Sequence, residues 1–166
     1  MLTSHELLGF MSPGLAQEIL TYAYETDKLL YRATLNAVAE ARKLRPVFFE
    51  RQPRTQRHAA MLSSLTRPSL ETFTANLIRF WLLKKNTGML TDFLDQLQIQ
   101  HKEGVVEDLP KSMDDAKLGS AVDTLLAKYP PEHVAVYLHA FNDMNDAEWP
   151  NLKSMLETDP RLQVGN

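Results

Sequence analysis

Five histidines, His5, His58, His101, His133 and His139, are the residues most able to hold a metal or move a proton. Their spacing argues against both. No His-Glu-x-x-His run occurs, and no glutamate stands three residues before a histidine. His133 and His139 are six apart, on opposed sides of any helix that carries them. His139 and Asp143, four apart, share a face, but two ligands without a third make no site. The acid-rich run from Asp143 to Glu148 lacks the glycine and the bidentate glutamate of a calcium loop. Its carboxylates suit a helix start instead. No Gly-x-Ser-x-Gly and no glycine-rich phosphate loop is present. The expectation is therefore no metal, no cofactor and, on balance, no enzyme.

The segment 42–57 is the most unusual stretch. Arg42, Lys43, Arg45, Arg51, Arg54 and Arg57 face one carboxylate, Glu50. Guanidinium forks match carboxylates and phosphates, which makes Arg45, Arg51, Arg54 and Arg57 the candidate contacts to an anionic partner. Phe48 and Phe49, between Pro46 and Pro53, could stack on bases or plug a core. The whole chain has net charge -3, which disfavours nucleic acid, whose non-specific binding is dominated by charge. The arginines also have structural uses, near a helix C-terminus or paired with acids elsewhere. Aromatic residues spread over several segments predict a core. Where such a core packs imperfectly it leaves an apolar pocket, with Trp81 and Tyr137 as the candidate lining.

The elements that must position these residues are helical. Leu70, Phe73, Leu77 and Phe80/Trp81 recur on one helical face. Leu90, Phe93, Leu94 and Leu97 repeat the pattern, as do Leu118, Val122, Leu125 and Leu126. Ser12-Pro13, Thr66-Arg67-Pro68 and Tyr129-Pro130-Pro131 read as helix starts. Asn86-Thr87-Gly88, Lys102-Glu103-Gly104 and Thr158-Asp159-Pro160 read as stops. Residues 142–146 predict a turn before a helix near Trp149-Pro150. From Leu15 to Arg45 there is neither Gly nor Pro, and the apolar stripe runs throughout. One helix of about 30 residues is expected there in preference to two broken near Glu25-Thr26-Asp27. Turns are placed near Arg45–Pro53 and an exposed loop over 103–111.

Composition bounds the rest. The chain has 166 residues, 44% hydrophobic and 23% charged, with no cysteine, so disulfides and thiolate sites are excluded. Residues 1–83 carry net +3 and residues 84–166 net -6, and such halves attract within a fold or between copies. The N-terminus lacks a signal-peptide pattern and no apolar run suits a membrane span, so a soluble, cytoplasmic protein is expected.

These readings predict an all-α chain of about six or seven helices, an irregular bundle or short helical-hairpin array in a single domain, 1–166. A faint threefold pattern suggests degenerate repeats around 1–53, 54–110 and 111–166. The leading functional expectation is a non-enzymatic protein-interaction or scaffold domain, self-association included. The alternatives are a small-molecule-binding helical domain with an aromatic-lined pocket, and contact with an acidic partner or nucleic acid through 42–57.

Overall fold

The computed structural model describes residues 2–165 and divides into two compact units. One is Thr3–Trp81; the other runs from Leu82 onward and includes Leu2. The division falls inside the middle repeat frame, 54–110. Among the described residues there are ten α-helices and no strand, so the fold is all-α, with more helices than six or seven. The excess arises from very short helices and from a break in the Leu15–Arg45 run.

The unit Thr3–Trp81 contains α1 (Ser4–Phe10), α2 (Pro13–Thr26), α3 (Lys28–Ala41), α4 (Pro46–Glu50), α5 (Arg54–Leu65) and α6 (Glu71–Phe80). A 3-10 turn, Pro68–Leu70, leads into α6. The expected start at Ser12-Pro13 is a true cap: the Ser12 hydroxyl accepts from the Leu15 amide at 3.4 Å. The single long helix does not form. Asp27 leaves helical geometry at φ -142 and ψ 87, and its carboxylate accepts from the Leu30 amide at 3.0 Å. It thereby ends α2 and caps α3, an exchange Asp makes readily because its short side chain competes with the helical ladder. α1 is capped from afar, since the Glu71 carboxylate accepts from the amides of Ser4 and His5 at 3.2 and 2.7 Å. Leu20, Ala23, Val38, Met61, Leu65 and Trp81 are fully buried in this unit. Each large apolar side chain so buried contributes about 1.5–3 kcal/mol.

The other unit contains α7 (Thr87–Gln96), α8 (Asp115–Lys128), α9 (Pro131–Met144) and α10 (Pro150–Thr158). A π-helical segment, Trp81–Lys85, precedes α7, and a 3-10 turn, Pro160–Leu162, follows α10. The stop expected at Asn86-Thr87-Gly88 is a one-residue break: the π-helical segment ends at Lys85, Asn86 is the N-cap of α7, and Gly88 lies inside its first turn. α9 is buried along six consecutive residues, Val134 to His139, as expected of a helix covered on several sides. His139 Nε2 donates to the Leu162 carbonyl at 3.0 Å and ties the last turn to α9. His139 is held below the ordinary histidine pKa by burial. Between α7 and α8 the chain runs without helix, pinned by the Trp149 indole on the Pro110 carbonyl (2.7 Å) and the Asn151 amide on the Met113 carbonyl (2.7 Å). No helix among the described residues is long and apolar enough to cross a membrane.

Candidate functional site

The arginine-rich segment is built from the end of α3, all of α4 and the first turn of α5. α3 closes in a Schellman turn. The Leu44 amide donates to the Ala39 carbonyl (2.8 Å) and the Lys43 amide to the Glu40 carbonyl (3.0 Å), with Lys43 left-handed at φ 57. Pro46 then opens α4 at its first position, where a missing N–H costs nothing. Because successive helical residues are about 100° apart, the two phenylalanines take different faces. Phe49 is fully buried, whereas Phe48 is 49% exposed and Val47 42%. Leu44, also exposed, stands just before α4. Glu50, the segment's one carboxylate, is taken by Arg32 of α3.

α5 starts on Pro53, which offers no side-chain acceptor, and its first turn carries Arg54 and Arg57 and no acid. Cations at a helix N-terminus oppose the dipole, so the potential here is strongly positive. The two guanidinium groups rest on aromatic rings. Arg54 lies over Tyr24 at 5.2 Å, and Arg57 lies over Tyr24 and Tyr31 at 5.8 and 5.9 Å. Beneath them the Tyr31 hydroxyl meets His58 Nε2 at 2.9 Å. Burial, then Arg57 and Arg54, hold His58 down to a pKa of about 4, so it is neutral at pH 7. Desolvation pushes the Tyr31 hydroxyl up. Gln52 Oε1 and Arg57 Nε are buried with no hydrogen-bond partner.

The cations of this segment divide into two kinds. Arg42 is used structurally, donating to Ser64 Oγ at 2.7 Å and to the Ala60 carbonyl at 2.9 Å. Arg45, Arg51, Arg54 and Arg57 have no carboxylate within ion-pair distance among the described residues. Arg45, Arg51 and Arg54 are exposed, and Arg57 is half-buried under its stacking contacts. The result is one short segment on which exposed Leu44, Val47 and Phe48 accompany guanidinium groups that no carboxylate neutralises.

The unit that begins at Leu82 has a different feature, a groove of about 930 Å³ between the π-helical segment, the end of α7 and the chain that follows it. Leu83, Ile99 and Val105 supply its apolar surface; Asp95, Glu103, Glu107 and Asp108 line it against Lys84 and Lys102. The backbone here is tightly specified. Gln98 and Glu103 are left-handed at φ 59 and 51, and Gly104 at φ 89 lies close enough that a Cβ would stand 3.1 Å from Leu90. His101 bridges the turn. Its Nδ1 accepts from the Gly104 amide at 3.2 Å, which leaves the proton on Nε2, 2.6 Å from the Asp95 carboxylate. Both ring nitrogens are thus engaged in holding the loop.

Trp81 and Tyr137, the expected pocket residues, are core residues, each in its own unit. Trp81 is fully buried and its indole donates to Glu18 at 2.9 Å. Tyr137 is buried edge-on between Phe93 and Phe141, with ring centroids 5.5 and 6.0 Å away. Neither lines the groove. The His101–Asp95 pair and the groove escaped the sequence reading. Six residues separate the pair across a helix end, a spacing that no helical or strand period brings together. Among the described residues no three His, Asp or Glu side chains are arranged to hold a metal ion.

Comparison of the chain with protein-family models, with curated proteins and with solved structures returns no match.

Proposed function

We propose that the chain is a non-enzymatic interaction domain that docks an acidic protein partner through the face formed by α4 and the first turn of α5. The observation that carries this reading is the coincidence, on one short segment, of exposed apolar side chains with guanidinium groups that no carboxylate neutralises. Interface centres favour aromatic and arginine side chains, and Phe48 with Arg51 and Arg54 has that make-up. Stacking on Tyr24 restrains Arg54 before any partner arrives, which lowers the entropy lost on docking. Arg57, less exposed, serves chiefly as part of the same platform. Acidic groups on the partner would supply the counter-charge and speed encounter, while Val47 and Phe48 would supply the buried contact.

A fluorescein-labelled amphipathic peptide of glutamate, leucine and phenylalanine, followed by anisotropy, tests the reading. Wild-type chain should bind it with an affinity that falls as salt rises. R51A/R54A and F48S should each weaken binding by about tenfold or more, the scale of one interface anchor. Binding that ignores both variants sinks the proposal. Equal or tighter binding of a single-stranded DNA of matched charge would move the site to nucleic acid and equally overturn a protein partner.

A further inference from the structure

We infer that the partner of the α4–α5 face is a second copy of this chain, received in the groove that follows α7. The inference rests on the reading of α4–α5 as a docking face and names what docks there. The groove has an excess of what that face lacks, since its four carboxylates outnumber its two lysines, Lys84 and Lys102. Glu103, Glu107 and Asp108 are exposed carboxylates with no ion pair among the described residues, just as Arg45, Arg51 and Arg54 are exposed cations with none. Leu83, Ile99 and Val105 offer apolar surface in the same groove, and Val47 and Phe48 offer it on α4. The charge division along the chain has the same sense, with net +3 over residues 1–83 and net -6 over 84–166. The groove needs no folding on arrival, because His101 and the left-handed residues already fix its wall. Since the two surfaces differ, the contact is head-to-tail: every open assembly keeps one free face at one end and one free groove at the other, and growth continues until a ring closes.

Sedimentation velocity on the full chain from ~10 µM to ~1 mM reads the association directly. The weight-average mass of wild type should rise with concentration at low salt and fall back towards one chain near ~0.5 M salt, where Coulomb contacts are screened. R51A/R54A and E107Q/D108N should each weaken association by about tenfold or more. Mixed in equal amounts, the two variants should form a one-to-one dimer and stop there, because only one correct face-and-groove pair remains between them. That rescue also shows that both variants are folded. A wild-type chain at monomer mass at ~1 mM overturns the inference, and so does a mixture that stays monomeric while wild type assembles. The acidic-peptide titration then decides separately whether α4–α5 is a docking face at all, since it needs no second copy.

Discussion

At the scale of single residues, Phe48 and Phe49 separate docking from stability. Phe49 is fully enclosed, so F49A should cost about 3–5 kcal/mol, whereas F48S on the surface should stay within about 0.5 kcal/mol. Urea melts of the two variants check this, and a large loss from F48S would mean that Phe48 belongs to the fold. His58 makes a second prediction. Its folded pKa, about 4, lies below the unfolded value of 6.5, so the neutral form is the one folding favours. Its contribution is complete above about pH 6.5 and is lost as pH falls from there towards about 4. His139, also lowered, acts in the same sense. H58Q keeps a hydrogen-bonding group near Tyr31 but removes the titration. The drop in unfolding midpoint between about pH 7.5 and about pH 4.5 should therefore shrink in that variant. An unchanged drop would remove His58 from the acid response. The arginines were conspicuous in the sequence by charge alone. Their stacking was not, because Tyr24 and Tyr31 lie on other helices and nothing local to 42–57 points to them.

At the scale of elements, apolar spacing made most helices legible, and proline at the first position marked three starts correctly. What misled was punctuation by polar residues. The Leu15–Arg45 stripe continues across Asp27, so periodicity alone joins α2 to α3; only the carboxylate's bond to Leu30 separates them. The stop at Asn86-Thr87-Gly88 was legible, but not its brevity: the helical run ends at Lys85, and α7 already begins at Thr87. The groove was illegible for a further reason. Its wall depends on left-handed glutamine and glutamate, residue types that do not advertise that conformation. Gly104 is the exception, where a positive φ and the nearby Leu90 both demand glycine. G104A should cost about 1–2 kcal/mol, the usual penalty for a left-handed non-glycine, and should speed amide exchange through 98–108. Exchange confined to global unfolding in that variant would show the loop to be less dependent on this turn.

For the molecule as a whole, the all-α class followed from the helical recurrence of apolar residues in stretches that need partners. One recurrence in the element order bears on the threefold pattern, although the frames hold four, three and three α-helices among the described residues. Pro13, Pro68 and Pro131 each open a helix or the turn into one, and a further helix follows in each case. We propose that this reflects degenerate repetition, a reading that the order of elements supports. The charge division was plain in the sequence. Which charges are already paired was not, since pairing depends on chain segments far apart, as when Arg161 meets Asp123 at 3.0 Å. Only the cations and carboxylates left over after such pairing are available for assembly, and they set the expected salt dependence.

Asp27 has one further consequence, for the lengths the chain tolerates. Its single non-helical residue is the whole connection between α2 and α3, with no slack on either side. One residue inserted there would turn α3 by about 100° and move Tyr31, Leu35 and Val38 off the buried face together. An insertion in the exposed stretch at Lys111–Ser112 displaces no buried side chain. Natural length variation in this protein should therefore collect between α7 and α8 and be missing at Asp27, even though both are merely breaks between helices.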